Sequence, residues 1–74
     1  MNAYVDGIGR IYKTVDDNEI VDTRSYLKSV PVNIIGEQCE FVLDGQIVRV
    51  YEVDLRGGHS GPSYLLAHDL TILD

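Results

Sequence analysis

The chain has 74 residues, a net charge of −6 and one cysteine. This length predicts a single domain spanning 1–74, and a lone cysteine excludes an intrachain disulfide. Direct binding to nucleic acid or to an anionic membrane is not expected, because both depend on Lys and Arg. No apolar run reaches the roughly 20 residues that span a bilayer or resembles a signal peptide, so a cytoplasmic protein is predicted.

The first half of the chain predicts short strands joined by turns. β-Branched and aromatic residues alternate with polar ones at 8–15 and 19–27, as is typical of strands. The Asp-Asp-Asn stretch at 16–18 tolerates the backbone conformations of a tight turn. Residues 28–37 are predicted to form an edge strand or an extended connection, since Pro31 cannot donate to a ladder. This segment is expected to cross the end of the sheet and close the core.

A β-hairpin is predicted over residues 39–55. Asp44 and Gly45 separate two alternating apolar runs, and a type I′ turn needs positive φ at both of these positions. On the outgoing strand, Val50 and Val53 fall on opposite faces. Either both faces are buried here, or a bulge near Val50 resets the register.

The last segment, 63–73, predicts a strand, a tight turn at the Ala-His-Asp stretch 67–69 and a short final strand. The chain therefore holds five or six short strands. An immunoglobulin-type sandwich needs about 100 residues. The expected fold is all-β, a small and strongly bent antiparallel β-barrel.

Residues 45–73 resemble the second half of SH3-like β-barrels, in which a strand leaves a tight turn, a loop follows, another strand returns and a short turn precedes the last strand. The Gly-Gln-Ile-Val run at 45–48, followed by Tyr51, looks like the corresponding strand of the type II, plasmid-borne dihydrofolate reductases. The resemblance implies an SH3-like barrel and assembly into a homo-oligomer. Those reductases carry Val-Gln-Ile-Tyr on a later strand, where this chain has Ser-Tyr-Leu-Leu at 63–66. Reductase activity is therefore not expected.

The glycine-rich stretch before that strand is a candidate binding loop. It lacks the Gly-Lys-Ser/Thr ending of a P-loop, and no helix is predicted after it. Free backbone amides beside an arginine and a histidine are able to form a small anion-binding nest. The residues predicted to bind are Arg56, Gly57, Gly58, His59 and Ser60. The alternative is a plain connection between two strands.

The five tyrosines are the second candidate binding feature. Tyrosine combines a large apolar ring with a hydroxyl, which suits interfaces. Tyr12, Arg49 and Tyr51, together with Arg10, are predicted to project outward from two strands and contact a partner. Alternatively, two of the five rings complete a thin core.

Catalytic and metal chemistry are not predicted. His59, His68 and Cys39 are the only histidines and the only cysteine, and their spacing does not supply the four ligands of a zinc site. Cys39 is expected to be a small core residue. No catalytic residue, metal or cofactor is therefore assigned.

The pattern as a whole favours a non-enzymatic binding module that acts through a protein partner or by self-assembly as a homo-oligomer. Two alternatives remain open. One is a small-molecule site or weak enzyme formed at a subunit interface. The other is an acidic inhibitor that mimics nucleic acid, which requires the acidic residues to align on one face.

Overall fold

The computed structural model describes residues 1–55 and 61–73. Within them, seven strands form one antiparallel sheet that curls into a half-barrel, in the order β3-β2-β6-β5-β4-β1-β7. A short 3₁₀-helix, Ala67–Asp69, lies between β6 and β7. The all-β prediction is confirmed, with seven strands in place of five or six. The strands are β1 (Asn2–Val5), β2 (Ile8–Thr14), β3 (Ile20–Lys28), β4 (Pro31–Leu43), β5 (Gln46–Asp54), β6 (Ser63–Leu66) and β7 (Leu70–Ile72).

The strand count differs from the prediction at the N-terminus. β1 has only four residues and was not predicted. It pairs antiparallel with both β4 and β7, where Ala3 lies opposite Val32 on one side and Ile72 on the other. Two long-range ladders therefore stabilise a segment whose local sequence is too short to predict a strand.

β4 is a central strand, so residues 28–37 form neither the edge strand nor the extended connection that was predicted. It continues for 13 residues through the segment predicted as a separate connection, between β5 and β1. Pro31 is its first residue, the position in a strand where a missing N–H is tolerated. Val32 and Ile34 turn toward the core from this half of the strand, as their alternation predicted.

The hairpin between β4 and β5 has the predicted turn. Asp44 and Gly45 have φ values of 50° and 79°, the two positive angles that a type I′ turn requires. Farther along, β4 bulges: Ile35 pairs with Glu52 and Cys39 with Val50, so three residues of β4 oppose one of β5. The bulge contains Gly36, whose φ is 76°. Cys39 is exposed, which overturns its assignment to the core.

The main core lies on one face of the sheet. Its buried side chains come from six strands, which is why the curled sheet encloses it. They are Ala3, Val5, Ile11, Ile34, Val53, Leu65 and Leu70. Burial of the valine, isoleucine and leucine side chains among them stabilises the fold by about 1.5–3 kcal/mol each.

A second, smaller core lies on the opposite face of the central strands. It contains Tyr12, Ile20, Val50 and Tyr64, against which Phe41 and other partly buried residues pack. Adjacent positions on β6, Tyr64 and Leu65, are thus buried on opposite faces.

The second core explains why Val50 and Val53, on opposite faces of β5, are both apolar. Pairing with β6 runs without a break from Val50 opposite Leu66 to Val53 opposite Ser63. Both faces of β5 are therefore buried. The bulge next to Val50 lies in β4, opposite Tyr51, and leaves the alternation along β5 unchanged. The tip of the β4–β5 hairpin reaches the β2–β3 turn, where the Val42 N–H donates to the Asn18 carbonyl at 2.7 Å.

Ser63 is a polar residue inside this apolar frame. Its side chain is buried, and its hydroxyl has no hydrogen-bond partner within the described part of the chain. An unsatisfied buried hydroxyl costs about 1–3 kcal/mol. We expect Ser63→Ala to raise the free energy of unfolding by about 1 kcal/mol, measured by urea denaturation. Ser25→Ala, at an exposed site, is the control, and a marked loss of stability in Ser63→Ala would contradict the expectation.

Candidate functional site

The predicted binding loop is not part of the described structure. Arg56, Gly57, Gly58, His59 and Ser60 lie outside the described residues, so their predicted role stays a prediction. Leu55, immediately before them, lines an open depression of about 530 Å³ at the end of β5.

Tyr12 does not project outward as predicted. Only 6% of it is exposed, and it packs in the second core. Together with Tyr64 it fulfils the alternative in which two of the five rings complete the core. Phe41 packs edge-on against Tyr64, with ring centroids 5.0 Å apart, a favourable geometry for aromatic pairs.

Arg49 and Tyr51 share one face of β5, because they are two residues apart. The Arg49 side chain is exposed, and its Nε lies 3.7 Å from Glu40 Oε2 across the hairpin. Tyr51 is half-buried, and its hydroxyl accepts a hydrogen bond from Gln38 Nε2 at 3.3 Å. Arg49 is thus outward as predicted, whereas Tyr51 is anchored at the edge of the main core.

Four exposed side chains form a compact group on the β2–β3 hairpin. Arg10 lies directly opposite Tyr26, and Ile8 lies opposite Lys28. Cross-strand partners and positions two apart share one face, so the four form a block two residues wide and two long. Tyr26 is 57% exposed and Ile8 54%. We call Ile8, Arg10, Tyr26 and Lys28 the basic block.

The basic block stands out against the charge of the whole chain. Residues 8–28 hold four of the six Lys and Arg residues and four of the twelve acids, so this hairpin is neutral while the other residues carry the net −6. Three of its four acids lie in the turn segment 16–19, beyond the end of β2 at Thr14, which is about 13 Å from Arg10 at 3.3 Å per residue. The fourth, Asp22, contacts Arg10 Nη1 at 3.4 Å through Oδ2. At the block end of the hairpin, Arg10 and Lys28 therefore outnumber the single carboxylate of Asp22.

The free edge of β3 is locally blocked against strand addition. Arg24 has a φ of 68°, and its N–H is held by Asp22 Oδ1 at 2.8 Å. The Ser25 N–H is likewise held by Thr23 Oγ1 at 3.3 Å. Bulges and occupied N–H groups are devices that protect edge strands. A partner is therefore expected to contact the side-chain face of the hairpin, not to extend its ladder.

Tyr26 and Ile8 were missed at the sequence level. The reason is a bulge in β3: Arg10 pairs with Tyr26 and Tyr12 with Asp22, so three residues of β3 oppose Ile11. A regular hairpin register would pair different residues. The signal that was available is the grouping of Arg and Lys around an aromatic residue in 24–28.

Two tyrosines of the second core have shifted proton affinity. Burial raises the pKa of Tyr12, and the negative charge of Asp22 adds to the effect. Burial also raises the pKa of Tyr64, with a further contribution from Glu52. Both rings are therefore held in their neutral form to a higher pH in the folded protein than in the unfolded chain.

This difference predicts a loss of stability in alkaline solution. Below pH 10, the approximate pKa of tyrosine in the unfolded chain, both tyrosines are protonated in the folded and unfolded states. Their contribution to the free energy of unfolding is then fully present. As the pH rises through the raised folded-state pKa, the unfolded state binds fewer protons and stability falls. We expect Tyr64→Phe to make this fall shallower between pH 9 and pH 12, measured by urea denaturation at each pH. An equally steep fall in the Tyr12→Phe/Tyr64→Phe variant would contradict the assignment.

Among residues 1–55 and 61–73, no group of three or more His, Cys, Asp or Glu side chains is placed to hold a metal ion. Within the same ranges, no helix has the length and apolar character needed to cross a membrane.

Comparison of the chain with protein-family models, with curated proteins and with solved structures finds no match. The candidate site therefore stands on its geometry and charge.

Proposed function

We propose that this chain is a non-enzymatic protein-binding module on an SH3-like barrel, and that the basic block receives an acidic segment of a partner protein. The observation that carries the proposal is the block itself, where Tyr26 and Ile8 are exposed beside Arg10 and Lys28. Tyrosine and arginine are enriched among the residues that dominate binding energy. The four side chains thus combine apolar contact area with positive charge.

The SH3-like assignment is supported by the order of elements after the Asp44-Gly45 turn. β5 leaves this turn, β6 returns, and a 3₁₀-helix precedes β7. The resemblance noted in the sequence has the same order of strand, connection, strand, short turn and last strand. The reductase motif position, Ser63–Leu66, is β6, and its first three residues are buried. Those side chains are part of the structural core.

Charge complementarity favours an acidic partner. Outside residues 8–28 the protein carries the net −6, so an acidic peptide is repelled from the other surfaces and directed to the basic block. The rings and aliphatic groups of the block then bury apolar residues of the peptide. A peptide with Asp or Glu beside a large apolar residue fits both features.

The test is selection of peptides from a random library on the immobilised protein, followed by titration of one selected peptide. We expect selected peptides to pair acidic with apolar residues, and to shift the amide signals of Arg10 and Tyr26. The Arg10→Ala/Tyr26→Ala variant is expected to bind about tenfold or more weakly. Lys13→Ala is the matched control, since Lys13 also lies on β2 but on the opposite face.

Basic or neutral selected peptides would contradict the proposal, as would full binding by the Arg10→Ala/Tyr26→Ala variant. Replacing each acid of the selected peptide by its amide should also weaken binding. A single-stranded oligonucleotide that bound through the block while acidic peptides did not would replace the protein partner with a nucleic acid.

A further inference from the structure

The most exposed large apolar side chain in the described structure is Ile47, 73% exposed at the tip of the β4–β5 hairpin. Arg49 follows two residues later on the same face of β5. Its ion pair with Glu40, at 3.7 Å between two exposed side chains, contributes at most about 1 kcal/mol and leaves the guanidinium accessible. We call Ile47 and Arg49 the knob.

A depression of complementary character lies at the other end of β5. It has a volume of about 530 Å³, within the range of sites that take small ligands. Leu73, which lines it, is 58% exposed. Asp54 also lines it and has no ion pair to another described residue. We call this depression the socket; its apolar lining includes Leu27, Val30, Val32, Leu55 and Leu73.

The knob and the socket do not reach each other within one molecule. Asp54 lies seven positions after Ile47 along β5, which is about 23 Å at 3.3 Å per residue. The two positions also have opposite parity along the strand, so their side chains leave opposite faces of β5. Any contact between knob and socket is therefore a contact between two copies, arranged head to tail.

We propose that the socket is filled by a second copy of this chain. Ile47 of one copy enters the apolar depression of the next, and Arg49 of the first copy pairs with Asp54 of the second. A head-to-tail contact of this type closes into a ring when the rotation between copies allows it, and otherwise continues as an open chain. The contact uses residues separate from the basic block. Self-association and partner binding can therefore be tested independently.

Two observations favour a second copy over another occupant. Both halves of the contact, apolar and ionic, are present on this one chain: Ile47 and Arg49 share a face of β5, and Leu55, Leu73 and Asp54 line the same depression. In addition, a 74-residue chain buries only about 60% of its unfolded surface, and small domains of this size commonly gain stability by association.

The test is sedimentation velocity across a concentration series with two surface variants. Ile47→Asp places a charge on the knob, and Leu73→Asp places one in the socket; both positions are exposed, so folding is expected to be retained and is checked by circular dichroism. Wild-type protein is expected to self-associate, and each variant to associate about tenfold or more weakly. Val21→Asp, exposed on β3, is the control that keeps wild-type association.

Mixing the two variants gives the decisive result. The Ile47→Asp chain keeps an intact socket, and the Leu73→Asp chain keeps an intact knob. An equimolar mixture is therefore expected to form a one-to-one heterodimer and nothing larger. Wild-type protein that stays monomeric at every concentration would overturn the proposal, as would a mixture that fails to form the heterodimer.

The proposed ion pair between Arg49 of one copy and Asp54 of the next is tested by exchanging the two charges. Arg49→Asp and Asp54→Arg are each expected to weaken association, because each places like charges at the contact. The double variant restores opposite charges and is expected to regain association. Equal weakness of the double variant and the single ones would remove the Arg49–Asp54 pair from the interface.

Discussion

Ile20→Ala is expected to lower the free energy of unfolding by about 2–5 kcal/mol, the range for truncating a buried isoleucine. Ile20 is 1% exposed in the second core, where it packs with Tyr12, Val50 and Tyr64. Truncation removes buried methyl groups and leaves a cavity that the surrounding strands only partly fill. In a domain of this size the loss is a large part of the total stability, which is about 5–15 kcal/mol for proteins in general.

The measurement is urea denaturation with a matched neighbour as control. Val21→Ala truncates a β-branched residue one position later that is exposed, and surface changes of this kind usually stay within about 0.5 kcal/mol. For a domain of 60–100 residues, each kcal/mol lost lowers Tm by about 4–8 °C. Similar losses in Ile20→Ala and Val21→Ala would show that the second cluster does not act as a core.

Gly9→Ala is expected to cost about 1–3 kcal/mol, because it overpacks the main core. A Cβ at this position would lie 2.9 Å from Val5 Cγ1 and 3.3 Å from Leu65 Cδ2. Both neighbours are fully buried. Gly9 also pairs with Leu27 of β3, so the backbone is held in the ladder and does not move away from the clash. Position 9 therefore requires glycine because Val5 and Leu65 leave no room for a Cβ atom.

A double-mutant cycle separates this clash from a general effect of alanine. Val5→Ala removes the Cγ atoms that Gly9→Ala would strike. The Gly9→Ala/Val5→Ala variant should therefore lose less stability than the sum of the two single losses, with a coupling of about 0.5–3 kcal/mol. Strict additivity in urea denaturation would mean that the cost of Gly9→Ala has another origin.

Local chemistry made several elements predictable. The Asp44-Gly45 turn was correct because positive φ at two successive residues is a local demand that these residue types satisfy. The turn between β2 and β3 was correct for a similar reason: Asp16 Oδ1 accepts the N–H groups of Asn18 and Glu19, both at 2.9 Å. The predicted turn at 67–69 is the 3₁₀-helix before β7.

Pairing across the sheet could not be predicted in the same way. β1 is a strand because β4 and β7 flank it, and nothing in four residues reports such distant partners. The two bulges, opposite Ile11 and opposite Tyr51, shift which residues face each other. Each bulge adds two residues, so the pairing beyond it moves while the alternation of faces is kept. Cys39 therefore lies on the face of Phe41, as alternation predicted, but it is exposed because the second core does not include it.

In the candidate site, too, some placements followed from the local sequence and others depended on how the strands pair. Outward placement of Arg49 followed from alternation along a strand and is confirmed. Outward placement of Tyr12 was wrong, because the β4–β5 hairpin and the start of β3 bury its face in the second core. The grouping of Tyr26 with Arg10 depends on the bulge in β3 and emerges only from the pairing.

By itself, the sequence determined that this chain is all-β, that its turns fall at 16–18, 44–45 and 67–69, and that it is acidic. These properties depend on backbone preferences and composition, which are encoded over a few residues. The tertiary structure alone decided that both faces of β5 are buried, that four side chains meet in the basic block, and that Ile47 and the socket lie at opposite ends of one strand. Those properties depend on register and curvature, which arise only when strands distant in sequence pair.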